Sequence, residues 1–420
     1  MQSIQVARKI REHIHGFMGI IYPHFSKPKA EFIGQMIYGI EASQDVKLSE
    51  IARSLGEEIL LKKTSERLSR NLKEPGLGDR INEIIAKDGA SRVKADTLIV
   101  VDATDVHKAY ARRMPYLDRV RDGSTGETVN GYWGCLALAC EVGKRRVIPL
   151  HQRLWSAQAP DFISENHQLC QVLETLRQAT KGRGIYVMDR GADRSKLFNY
   201  FLDNDLRFIV RLVGCRRDLL CHGERRRAED IGRGCQMLYR ETVVKEEQGQ
   251  EQKYHLEYGF RKVKLPGRGE DLFLVVVKGF GREPLLLLTS LPLRRSRKNL
   301  WFVVRGYLSR WLVEDTIRFI KQTYQLEDLR VLNYERMKNL VALVLAAVYF
   351  SAVWLGESLK LKILTTRVLK IAKRFFGIPS FHYYALADGI ARLLVMLGRW
   401  LKKPTSPMPN NQQLQLCINF

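Results

Sequence analysis

Two short apolar runs, each leading straight into an aspartate, constrain this chain more than any other feature. Residues 97–101 read TLIVV before Asp102, and residues 184–188 read GIYVM before Asp189. A continuous, mostly β-branched run without polar alternation is a strand buried on both faces, the habit of sheets covered by helices. A carboxylate at the C-terminal lip of such a strand lies where mixed and parallel sheets place their ligand sites. Further strands are predicted at 131–140 and 146–150, joined by a hairpin turn at 141–144, and at 206–212. Helices are expected over about 163–179 and over 195–203, the latter closed by Asn204. The order β-β-β-α-β-α-β predicts an α/β core built on a mixed sheet.

A closing helix does not follow at once. Residues 213–292 instead hold strand-like stretches at 236–244, 254–263, 272–278 and 285–289, which read as an all-β insertion. Basic groups bracket it: Arg225, Arg226 and Arg227 near its start, Arg294, Arg295, Arg297 and Lys298 near its end. Residues 299–324 then read as one helix. On it Tyr307, Arg310, Glu314 and Lys321 form the spaced pattern Y-x2-R-x3-E-x6-K. At 3.6 residues per turn these four fall within about 60° of one another, beside an apolar stripe of Val313, Ile317 and Ile320. A carboxylate flanked by two cations and a phenol suits a metal-bound phosphodiester.

Charge points the same way. Lys and Arg outnumber Asp and Glu by 69 to 45, a formal +24, and the excess runs along the whole chain. Such a surface favours a polyanionic partner through counterion release. The first 90 residues read as helices, and residues 47–72 resemble a helix-turn-helix whose second helix starts near Thr64 and Ser65. Arg67, Arg70 and Lys73 are its candidate DNA contacts. The seven cysteines contain no Cys-x-x-Cys pair, and the spacing of Cys215, Cys221, His222 and Cys235 matches no common zinc site, so reduced thiols in a cytoplasmic setting are expected. The N-terminal residues lack the apolar core of a signal peptide. Residues 340–355 are apolar but short for a membrane span, and a buried helix of a soluble core is expected there.

Taken together these motifs resemble the transposases of the insertion sequence 4 family, whose catalytic triad is Asp, Asp and Glu on an RNase H-like core. Asp102 fits the first family motif in LIVVDATD, Asp189 the second in YVMDRGAD, and Glu314 the third with Tyr307, Arg310 and Lys321 in register. The resemblance implies that these carboxylates are catalytic and hold two Mg²⁺ (or Mn²⁺) ions. It implies that Tyr307, Arg310 and Lys321 contact DNA near the element end; Arg211 is a further candidate contact, and so is Arg190, which could equally pair with a neighbouring acid. It implies double-stranded DNA partners, namely terminal inverted repeats and target, a homodimer in the synaptic complex, no membrane, and a site of action at the prokaryotic nucleoid. A non-cleaving DNA-binding relative and a nuclease without strand transfer share most of these features. Some hairpin-forming members carry a tryptophan shortly before the closing strand of the insertion; here Leu285 and Leu286 stand there, with Trp301 a possible substitute.

Competing assignments exist. Asp105, three residues beyond Asp102, could hold a cation from a loop, and Asp96 could cap the strand. Asp193 is expected to cap the helix that follows Asp189, and Asp315 lies about 100° off the polar face. The expected division is a helical DNA-binding domain over 1–90, the catalytic core over 91–212 and 296–357, the β insertion over 213–295, a C-terminal helical region over 358–402 and a flexible tail over 403–420.

Overall fold

The computed structural model describes residues 3–108, 111–123, 125–247, 250–355, 368 and 383–396. The basic stretch 360–374, except Val368, and the tail lie outside them. In chain order the elements are α1 (Ser3–Phe17), α2 (Lys27–Ser43), α3 (Leu48–Leu55), α4 (Leu61–Asn71), α5 (Leu77–Ala90), β1 (Leu98–His107), β2 (Asp118–Arg121), β3 (Thr128–Cys140), β4 (Val147–Trp155), α6 (Glu165–Thr180), β5 (Ile185–Met188), α7 (Ser195–Asp203) and β6 (Phe208–Arg211). A hairpin of β7 (Asp218–Cys221) and β8 (Glu224–Arg227) and a short α8 (Ala228–Arg233) come next. Strands β9 (Tyr239–Glu247), β10 (Gln250–Val263), β11 (Leu272–Lys278) and β12 (Leu285–Thr289) precede α9 (Arg297–Leu308), α10 (Trp311–Thr323), α11 (Tyr334–Tyr349) and α12 (Tyr383–Val395).

The mixed α/β class is as expected. In the sheet, β1 pairs antiparallel with β3 and parallel with β5, β5 pairs parallel with β6, and β4 lies beyond β3. Five strands therefore run in the order β4-β3-β1-β5-β6, the mixed order of an RNase H-like core. The buried runs behave as a period of two dictates. Leu98, Val100, Ile185 and Val187 face one apolar cluster with α9, α10, α11 and the N-terminal helices, while Ile99, Val101, Tyr186 and Met188 face another with α6 and α7. Gly184 is needed at the start of β5: its φ is +97°, and a Cβ there would stand 2.6 Å from the Ile99 side chain.

Several elements depart from expectation. Strand β12 pairs antiparallel with β6, so β9–β12 extend the core sheet to ten strands among the described residues. The β7–β8 hairpin escaped sequence reading because β8 is four exposed charged residues. Helix α4 begins at Leu61, before Thr64, whose hydroxyl donates to Glu57. Residues 299–324 form two helices, because the chain breaks at Ser309 and Arg310. The apolar segment is α11 continued by a π-helical turn (Phe350–Leu355). It is long and apolar enough to cross a membrane, yet 89% of that window is buried inside the protein.

Candidate active site

The site is built on a row across three parallel strands. Val100 pairs with Val187, and Val187 with Ile209. Two residues further on, the same register sets Asp102, Asp189 and Arg211 side by side on one face of the sheet, at a strand spacing of about 4.8 Å. Asp102 is not at the end of its strand, since β1 runs on to His107 against β3; it stands just past the point where β5 stops pairing. The effect is the one a strand end would have, because the edge of β1 facing β5 is open from there.

Helices α9 and α10 cover this row. Near the end of α9 the buried Tyr307 donates its hydroxyl to Asp189 Oδ1 at 2.9 Å. Arg310, at the break, is 6% exposed and carries the N-terminus of α10. Its Nη1 donates to Asp102 Oδ2 at 2.8 Å and its Nη2 lies 2.7 Å from Glu314 Oε1. Glu314 is in the first turn of α10, where the helix dipole favours a carboxylate, and its side chain is 44% exposed. Arg211 approaches Asp189 at 3.8 Å. Tyr307, Arg310 and Glu314 thus come together over the aspartates.

The electrostatics follow from this burial. Desolvation pushes Asp102 up to about 6, with the charges of Asp189 and Glu314 adding to it and Arg310 opposing it. Asp189 is also desolvated, but Arg310, the Arg190 backbone N–H, the Tyr307 hydroxyl and Arg211 outweigh that and hold it below the usual carboxylate range. Burial, then the Asp189 charge, lifts Tyr307 to about 12, so it remains a donor. Burial works against the charge of Arg310, but Asp102, Tyr307, Glu314 and Asp189 together raise its pKa above the ordinary value.

Other predicted residues lie elsewhere. Lys321 is three turns along α10 from Arg310 and pairs with Asp105 and Glu327, each at 3.1 Å. Asp105 is thereby buried in an ion pair and also accepts from the Gly123 N–H. Arg190 follows Asp189 and is exposed. Arg67 on α4 pairs with Glu57 at 2.7 Å and donates to Gln35, so it ties α4 to α2; Arg70 is exposed on the same helix. Asp193 does not cap α7. The N-cap is Arg194, and Asp193 accepts from the Val213 N–H and Arg217 Nε, fastening the turn after Asp189. Trp301 stacks on Tyr258 with ring centres 5.5 Å apart, and Leu286, Leu287 and Leu288 are buried in β12. The row from Asp102 to Arg211 had a sequence signal, namely two apolar runs of equal phase followed by a third, while the Asp105–Lys321 pair had none.

Hard oxygen donors in this number fit Mg²⁺ or Mn²⁺. Yet among the described residues no group of His, Cys, Asp or Glu side chains is close enough to hold a metal ion. The Arg310 guanidinium lies between Asp102 and Glu314 and supplies positive charge there. Its own buried Nε has no hydrogen-bond partner among the described residues.

A family model described as the transposase DDE domain matches residues 94–350. No curated protein matches the chain. Among solved structures, a cryo-EM structure of the piggyBac transposase synaptic complex with hairpin DNA aligns at 10% identity and a TM-score of 0.47, over 96% of this chain and 83% of that one. The family model covers the whole row, both helices above it and well over half of the sequence, and the chain belongs to the family of the transposase DDE domain.

Proposed function

We propose that this DDE transposase is of the insertion sequence 4 type, binds the terminal inverted repeats of its element, cleaves at their ends and joins the resulting 3′-hydroxyls to target DNA. The observation that carries the reading is the placing of Asp102 and Asp189 in one row with Glu314 held over them by Arg310. Metal-dependent chemistry is the habit of the family; two Mg²⁺ or Mn²⁺ ions held by Asp102, Asp189 and Glu314 would activate the attacking oxygen and neutralise the leaving one. The protein's own groups prepare that site. Asp102, at about 6, is mostly ionised at neutral pH. Tyr307 fixes one oxygen of Asp189 and, staying protonated, serves as neither base nor nucleophile. Arg310 must release its carboxylates before they can take a cation, and a DNA phosphate is the natural acceptor for the freed guanidinium. Lys321, Arg211 and the exposed Arg190 would add phosphate contacts, and Arg70 would contact the end from the N-terminal helices. The working form is a homodimer on paired ends at the nucleoid.

The test is an assay of end cleavage and joining with Mg²⁺ or Mn²⁺ on duplexes carrying the element ends. Cut ends that become covalently linked to a target duplex are expected. Cleavage without joining would replace the reading with a nuclease.

A further inference from the structure

A cleft of about 650 Å³ is lined by His107, Lys108, residues 111–114, residues 327–330 and Leu332. It lies at the far end of β1 from the active site, with His107 five residue steps along the strand from Asp102. Along that line cations recur: Arg310 on Asp102, Lys321 on Asp105, then Lys108, then the cleft.

The charges within the cleft are unevenly matched. Its acids are already engaged, Glu327 by Lys321 at 3.1 Å and Asp328 by Lys47 at 2.6 Å. Lys108 buries its ammonium on the Glu327 and Leu329 carbonyls, at 2.7 and 2.8 Å, and so fastens the loop that forms one wall. Exposed Arg112 and Arg113, by contrast, make no hydrogen bond or ion pair among the described residues, and Arg330 acts on Asp328 only at longer range. Leu332, 74% exposed, lines the same wall. A concave surface with unpaired cations focuses its field on an anion, and an apolar side chain beside them matches the mixed apolar and anionic edge of a sugar–phosphate strand.

We propose that this cleft is a binding groove for the backbone of duplex DNA running past the reaction centre, with Arg112, Arg113 and Arg330 on its phosphates. The proposal rests on the transposase reading above and adds a second, separate contact region to it. His107 is five residue steps from Asp102 along the strand, about 17 Å at about 3.4 Å per residue. That is about five steps of a DNA strand at about 3.4 Å each, so the groove meets phosphates about five nucleotides from the cut.

The experiment measures the salt dependence of binding of the full-length protein to a mixed-sequence duplex. It compares the wild type with a triple variant, Arg112→Gln, Arg113→Gln and Arg330→Gln, and with a charge-matched control, Arg225→Gln, Arg226→Gln and Arg227→Gln. All these positions are exposed, and an unchanged thermal midpoint checks the fold. The slope of log K against log salt should become shallower by about 0.9 for each phosphate no longer neutralised, up to about 2.7 for the groove variant, and by clearly less for the control. A wild type that binds, with a groove variant whose slope is unchanged or falls no more than the control's, overturns the groove and leaves the transposase reading standing. A wild type that binds no duplex overturns both.

Discussion

Arg310 is the residue on which the site turns. It is buried, at a helix break, and bridges Asp102 to Glu314. Neither Pro nor Gly marks that break; the Ser309 hydroxyl bonds back to the Arg305 carbonyl and Arg310 is drawn down onto β1. A reading of periodicity alone therefore kept the helix whole, although it chose the residues that meet. Removing Arg310 leaves desolvated carboxylates facing one another without compensation, a loss of about 3 kcal/mol by the usual cost of breaking a buried pair. Arg310→Ala should lose about that much stability in urea unfolding without metal, and Mn²⁺ should restore a good part of it while changing the wild type little. Equal metal responses in the two proteins would show that the guanidinium does not stand in a cation site.

Among elements, the join between α2 and the end of α10 explains why the N-terminal helices are not free of the catalytic ones. Glu41 on α2 is fully buried and accepts from the Tyr324 hydroxyl at 3.3 Å and the Ser351 hydroxyl at 2.5 Å. Tyr324 closes α10, and Ser351 lies in the turn that continues α11. Burial pushes Glu41 from 4.5 up to about 8, against the two hydrogen bonds. Between those values the folded protein keeps a proton that the unfolded chain has lost, so stability falls as pH rises through the window and levels off above about 8. The expected slope is roughly 1 kcal/mol per pH unit. Denaturation followed from pH 5 to 9 should show the wild type losing stability relative to Glu41→Gln by that slope; parallel lines would mean that Glu41 is ionised in the fold. Nothing in the sequence around Glu41 marks it, since its partners are some 280 and 310 residues away.

Across the whole molecule, what the sequence showed and what it hid divide by distance. The buried strands at Asp102 and Asp189, and the limits of α7, were legible because β-branched runs and a helix cap are local signals. The pairing of β12 with β6, which carries the sheet outward through β11, β10 and β9, was not, because strand neighbours depend on partners far along the chain. One apolar cluster reaches from α1 through α11 to α12, so the helices that begin the chain share a core with those that bear Glu314. Arg67 illustrates the consequence: a candidate DNA contact also holds helices together, while Arg112, Arg113 and Arg330, which had no motif, make no hydrogen bond or ion pair among the described residues.

The central claim is that Asp102, Asp189 and Glu314 act as one metal-dependent centre on DNA. Its most direct test is cleavage of element-end duplex with Mg²⁺ by the wild type and by Asp102→Asn, Asp189→Asn and Glu314→Gln, with end binding measured on the same preparations. The account predicts that each substitution lowers cleavage by at least about a thousandfold, the loss of a barrier contribution of about 4 kcal/mol, while end binding stays within a few fold of the wild type. A variant among the three that binds the ends and still cuts at the wild-type rate would contradict it.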